Sequence, residues 1–381
     1  MYSRLNSIQQ HLPRSTSKTS THTMASLPLR IAVLDDYANI AQTHFSKLQN
    51  VQVDSFPKTL NAATPKGLEA LAKRLEPYKI ISTMRERTAF RSALIKQLPN
   101  LKLLLTSGTR NASLDLATFS ERGIPVAGTK GERPSNPDPN SDYEPPPPAG
   151  YSAVNQHAWA LLLALCGRIP EDDRALKTSS TAWQSGLGIS LGGKTLGLVG
   201  LGKLGTAFGR VAVQMFGMKV LAWSQNLDQE KADAAAEGAG LPKGTFEAVG
   251  KEEVFRSADV VSLHLVLSER TRGVVGKREL GWMKGSGVLV NTSRGGLIDE
   301  GALISALKEG RIKGVALDVF WEEPIAADSP WRSVDSWSKA AVVLSPHMGY
   351  VNEGTMNRWY EEQAENLDRW LKGEELLNKI N

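Results

Sequence analysis

TLGLVGLGKLG, residues Thr195 to Gly205, joins a short apolar run to a helical pattern that continues from Lys203 to about Phe216. A lone GxGxxG says little, but a strand before it and a helix after it give each glycine a physical task. Gly200 permits the tight turn, Gly202 lets the backbone approach a pyrophosphate, and Gly205 lets the helix pack on its sheet. The helix start, with Lys203 and Leu204 in its first turn, favours negative charge. This stretch predicts a dinucleotide-binding α/β domain.

Downstream, KVLAWS, DVVSLHLV, GVLVNTS, GVALDVF and AVVLSP repeat the alternation of apolar run and helix. With TLGLVG they predict a six-stranded, doubly wound parallel sheet. Upstream, LRIAVLDDY, YKIISTMRE, LKLLLTSGT and GIPVAGT read as four more strands, of a first domain that lacks a glycine fingerprint. The fold class is therefore α/β, with a Rossmann-type coenzyme domain and a flavodoxin-like substrate domain flanking a cleft. The expected boundaries are 29–128 plus 349–381 for the substrate domain and 151–348 for the coenzyme domain. A Pro-rich insertion, 129–150 (TKGERPSNPDPNSDYEPPPPAG), lies between them. Proline this dense cannot enter a sheet or helix interior, so it reads as a surface loop or as an edge of the cleft at the hinge. The last helix, from about Glu353 to Lys372, is expected to fold back onto the first domain.

Composition narrows the function classes. The chain has 381 residues, 41% of them hydrophobic and 22% charged, which suits two soluble domains. No apolar run approaches the ~18 residues of a membrane span. The net charge of +5 is not gathered into a basic patch with aromatics, so nucleic acid is not an expected partner. No metal site is expected. The single cysteine, Cys166, excludes an internal disulfide and reads as core packing in ALLLALCGR. Residues 1–28 are rich in Ser and Thr, carry Arg4, Arg14 and Lys18, and contain no acid. They read as a disordered extension of a cytoplasmic protein or as a mitochondrial transit peptide.

Three residues carry chemistry. Arg294 lies in NTSRGGLIDE, Glu323 in VFWEEP and His347 in SPHMGY. Each alone would pass for a surface charge or a satisfied polar group. Together they supply what reduction of a 2-keto acid asks of a protein. A guanidinium fork clamps the carboxylate and polarises the ketone. An imidazole delivers a proton near neutral pH, and a carboxylate beside it fixes the ring and favours its protonated form. His44, His157 and His264 read as satisfied polar groups, although His157 falls near the hinge helix. After the second strand an acid is usual for holding the ribose of NAD. Here Ser224, Gln225 and Asn226 stand instead, all able to donate to phosphate, so NADP or dual use is expected. An inward-turned Asp228 would return the preference to NAD.

In this order GLVGLGKLG, HLVLSERTRGVVG, LVNTSRGGLIDE, ALDVFWEEP and SPHMGY resemble the D-isomer-specific 2-hydroxyacid dehydrogenases, from Leu29 to the end. The resemblance implies that Arg294 binds the substrate carboxylate and carbonyl, that Glu323 orients His347, and that His347 is the acid/base. Glu323 is chosen over Glu322 because it directly precedes Pro324. Asp318 would meet the nicotinamide amide, and Val266, Thr292 and Ser293 would lie along the cofactor. In the first domain, backbone N–H groups of the turn around Ser107, Gly108 and Thr109 would meet the substrate carboxylate. Met84, Arg85 and Arg87 would form the other wall, with Arg85, Arg87 and Arg110 read either as substrate contacts or as solvated or domain-bridging cations. Trp321 and the Pro-rich segment are read as able to narrow or shield the pocket. The implied activity interconverts a small 2-keto acid, such as glyoxylate, hydroxypyruvate or a branched acid, and its D-2-hydroxy acid. The implied assembly is a homodimer, with the apolar helix Tyr151 to Arg168 contributing. The competing class is a dinucleotide-sensing, corepressor-like binding module without turnover.

Overall fold

A computed structural model describes residues 28–131, 152–181, 183–184 and 186–381. The N-terminal extension, apart from Pro28, and the Pro-rich insertion beyond Gly131 lie outside the described residues.

The first sheet has five parallel strands: β1 (Leu29–Leu34), β2 (Val51–Phe56), β3 (Ile80–Thr83), β4 (Leu103–Thr106) and β5 (Val126–Ala127), in the order β2-β1-β3-β4-β5. β3 and β4 are buried along their whole length, as strands covered on both faces must be. β2 is the strand that the four-strand reading lacked. Its sequence, VQVDSF, is only half-buried at the sheet edge, so it has no continuous apolar run to announce it. The helix Glu353–Lys372 packs Met356, Trp359, Tyr360 and Leu367 into one core with Ile31, Ile80 and Leu105. Asn352 caps its start by accepting from Thr355 N at 3.0 Å, and Gly373 ends it at φ +72°.

The second sheet holds β6 (Thr195–Val199), β7 (Lys219–Trp223), β8 (Phe246–Ala248), β9 (Val260–Leu263), β10 (Val288–Asn291), β11 (Gly314–Leu317) and β12 (Ala341–Leu344). Their order is β12-β11-β10-β9-β6-β7-β8, and every pairing is parallel. The sheet therefore has seven strands rather than the expected six; β8 is a three-residue edge strand, too short for periodicity to register. The chain runs outward from β6 to β8 and returns to β9 on the other side of β6. That reversal opens a crevice at the carboxyl ends of β6 and β9. On one face Trp159, from the helix Ala153–Cys166, stacks on Phe208 with centroids 4.3 Å apart and on Phe216 at 5.0 Å. Cys166 is buried in that core, and burial pushes its thiol up to about 11, which suits packing and not nucleophilic work. Among the described residues no helix is long and apolar enough to cross a membrane, and no cluster of side chains could hold a metal ion.

Candidate active site

The crevice is shaped by its glycines. Gly200 has φ +110°, and a Cβ there would lie 2.8 Å from the carbonyl carbon of His264. A Cβ on Gly205 would fall 2.2 Å from the carbonyl oxygen of Gly200. Both positions are closed by neighbouring backbone. Gly202 differs, because a Cβ there would meet nothing within 4 Å. It caps the 14-residue helix Lys203–Phe216, whose first N–H groups have no partner inside the helix. An open approach to unpaired N–H groups at a helix start fits a pyrophosphate. Val266 lies beyond β9 and is 83% exposed, free to flank a ligand. Thr292 is buried after β10. Ser293 is held by its own bonds, from its N–H to Asn291 Oδ1 (3.1 Å) and from its hydroxyl to Leu263 O (2.7 Å).

Beyond β7, Ser224, Gln225 and Asn226 form the turn, and Asp228 does not face inward as a free carboxylate. It caps the helix Gln229–Gly238, accepting from Lys231 N at 2.9 Å and pairing with Lys231 Nζ at 2.5 Å. The same ammonium donates to Asn226 O at 2.9 Å, which places a cation at this turn.

The segments after β11 and β12 bring His347 and Glu323 together. His347 Nδ1 lies 2.6 Å from Glu323 Oε2. The other carboxylate oxygen accepts from Phe320 N at 2.9 Å, which fixes its plane. Burial opposes ionisation of Glu323. The His347 contact, the Phe320 N–H and the Arg87 charge outweigh it and hold the carboxyl down at about 2. Glu322 instead accepts from Asn61 Nδ2 of the first domain at 3.0 Å and does not reach the imidazole pair. His347 has φ +56°, and the backbone after it is pinned by Asp318. The Asp318 carboxylate accepts from Met348 N (2.7 Å), Gly349 N (2.9 Å), the Ser345 hydroxyl (2.7 Å) and His157 Nε2 (3.1 Å). Asp318 is 1% exposed and its carboxylate is spent on the His347 loop. His157, read as a bland polar group, belongs to this latch. His264 is half-buried, with Nε2 2.9 Å from Ser262 Oγ, and desolvation pushes it down to about 4.

Arg294 stands opposite. Its Nη1 donates to Ser293 O at 2.7 Å and its Nη2 lies 3.5 Å from Glu86 Oε1 of the first domain. Gly295 lets the next turn press on the segment after β11, since a Cβ there would meet Phe320 backbone at 2.3 Å. In the first domain, Arg85 lays its guanidinium on the Gly108 turn and over the Trp359 ring, 5.6 Å from its centroid. The N–H groups of Ser107 and Gly108 are already taken, by Thr83 O at 3.2 Å and Thr129 Oγ1 at 2.9 Å. The N–H of Thr109, the third residue expected in this turn, has no acceptor among the described residues. Arg87 is domain-bridging. It meets Glu323 Oε2 at 2.5 Å and Tyr350 Oη at 3.3 Å. Trp321 does not narrow the pocket. Its indole stacks on Trp331 at 5.5 Å and donates to Ile298 O at 2.7 Å. A cavity of ≈ 580 Å³ does open beside the pair, walled by Tyr37, Ile325, Met348 and Val351. Glu86 and Tyr350 escaped the sequence reading, because neither stands in a motif that names its partner.

A dinucleotide crevice that opens on an imidazole–carboxylate pair and a guanidinium defines a two-domain dehydrogenase. The model for "D-isomer specific 2-hydroxyacid dehydrogenase, NAD binding domain" matches residues 159–349. The chain belongs to the D-isomer-specific 2-hydroxyacid dehydrogenase family, NAD-binding oxidoreductases acting on CH–OH donors. It is 33% identical over 326 residues to the glyoxylate reductase of Thermococcus litoralis, covering 84% of this chain and 88% of the relative. It is 30% identical to the D-3-phosphoglycerate dehydrogenase of Methanocaldococcus jannaschii, covering 84% of this chain and 55% of that one. Among solved structures it superposes on a phosphoglycerate oxidoreductase of Vibrio cholerae with TM-score 0.75 at 30% identity, covering 91% and 99% of the two chains.

Proposed function

We propose that this protein reduces a small 2-keto acid, glyoxylate or hydroxypyruvate, to the D-2-hydroxy acid. The observation that carries the reading is the 2.6 Å contact between His347 and Glu323 on the cleft that Arg294 faces. His347 gives the proton from Nε2 to the carbonyl oxygen, because Nδ1 is occupied by Glu323. Arg294 grips the substrate carboxylate and polarises the ketone, displacing Glu86, whose 3.5 Å contact is long and half-exposed. A bound nicotinamide cofactor supplies the hydride. The glycine turn and the helix start at Lys203 hold its pyrophosphate. We infer use of NADPH beside NADH, because uncharged Ser224, Gln225 and Asn226 stand at the ribose end and Lys231 is tied to that turn. A homodimer is supported by Leu163, Ile169, Leu176 and Met215, exposed apolar residues on helices of the coenzyme domain.

The test is oxidation of NADH and NADPH against glyoxylate, hydroxypyruvate, pyruvate, 3-phosphohydroxypyruvate and branched keto acids. His347→Ala is expected to lose about a thousandfold in kcat on the best substrate while still binding NADH. Equal inertness of wild type and variant across the panel would sink the reading.

A further inference from the structure

Arg87 approaches the acid/base pair from the opposite domain. It follows β3, whereas Glu323 and His347 follow β11 and β12. Its Nη1 lies 2.5 Å from Glu323 Oε2, the same oxygen that takes His347 Nδ1 at 2.6 Å. Its Nε donates to Tyr350 Oη at 3.3 Å, and Nη2 points at the His347 carbonyl oxygen at 3.5 Å. The side chain is 9% exposed, so water does little to screen its charge. A cation meant for the substrate would keep its donors free. The contacts of this guanidinium go to Glu323, His347 and Tyr350 instead.

Resting on the reductase reading above, we propose that Arg87 is a positioning residue that shares the Glu323 carboxylate with His347. By that sharing it sets how strongly the imidazole holds its proton. The two cations on this carboxylate repel each other, and their donors share one oxygen that either would otherwise hold alone. Arg87 therefore works against the protonated ring and makes it a readier donor to the substrate oxygen.

Other charged and titratable groups face this pair. Tyr350 meets the imidazole edge-on at 5.4 Å, and Arg85 lies farther along the same wall. Asp35 is bonded to the Thr59 and Thr88 hydroxyls, and Tyr37 to Thr59. Arg332 gives its guanidinium to the carbonyls of Ala326 and Ile325, and Arg294 faces Glu86. Among the described residues Arg87 is the one cation besides His347 in contact with Glu323.

The experiment compares wild type, Arg87→Gln and Arg87→Lys. It records kcat/KM for keto-acid reduction against pH, and titrates the His347 resonance by NMR in ¹³C-histidine-labelled protein. The resonance is assigned by its loss in His347→Gln. In Arg87→Gln the high-pH limb and the His347 titration are both expected to move up by about one pH unit. Arg87→Lys, which keeps the charge, is expected to restore most of the wild-type position. Loss of kcat at every pH, with limb and resonance unmoved, would reduce Arg87 to a structural tie and overturn the proposal. If the wild type reduces no keto acid, the proposed function fails. The NMR comparison would still decide the role of Arg87.

Discussion

Replacing Glu323 with Gln removes a charge that the protein holds in place and leaves a group of nearly equal size. The carboxyl is held at about 2 instead of 4.5. At about 1.4 kcal/mol per unit that difference is worth about 3 kcal/mol, and the side chain, 20% exposed, needs little discount for solvent. The folded value is depressed, so this stability is complete above the unfolded value near 4.5 and is lost as pH falls toward 2. The advantage of wild type over Glu323→Gln should be about 3 kcal/mol at neutral pH and roughly half that near pH 3 by the linkage relation. Urea denaturation of both proteins across that range, followed by tryptophan fluorescence, measures the difference. Trp321, Trp331 and Trp337 report from the same domain as Glu323. An advantage that stays constant with pH would refute the reasoning, because the carboxyl would then ionise as in the unfolded chain.

The glycines make a paired prediction. Gly202→Ala should melt with wild type yet lose tenfold or more in NADH affinity, while Gly205→Ala, whose Cβ would fall 2.2 Å from the Gly200 carbonyl oxygen, should lose about 2 kcal/mol or more of stability. Calorimetry and cofactor fluorescence separate the two. Asp318→Asn substitutes an amide for an acceptor to which Met348 N, Gly349 N and the Ser345 hydroxyl all donate. It should cost about 1–3 kcal/mol and lower kcat more than NADH affinity, since the latch holds the His347 loop. Unchanged melting and kcat would mean that the loop is held by something else.

The strands in the middle of each sheet were readable because burial on both faces demands unbroken apolar runs, as in β3, β4, β9 and β10. The two strands that escaped, β2 and β8, are edges. VQVDSF is half-wet, and FEA is too short to show a period. The glycine turn was readable because three glycines at fixed spacing stand between an apolar run and a helical pattern. Gly205 is confined by the Gly200 carbonyl five residues back in the same turn, whereas Gly200 is closed by the His264 backbone after β9, a neighbour that only the sheet supplies. Trp321 misled because its neighbour in the fold is Trp331, and aromatic packing turned it away from the cleft that its place beside Glu323 suggested.

The site divides along the same line. Arg294, Glu323 and His347 stand in local segments whose composition reflects their own turns: a glycine pair after the arginine, a proline after the glutamate, a proline before the histidine. Arg87 and Glu86 stand in no such segment, yet each meets a catalytic-site residue of the other domain. The Arg87–Glu323 contact spans 236 residues, and no periodicity or capping rule acts over that distance. It forms because two separate sheets present the loops after β3 and β11 to one another. The contact then does what a local motif could not. A pair built on one domain alone would have the same neighbours whether or not the facing wall was in place. The pair that Arg87 joins from that wall is complete only where the two domains meet.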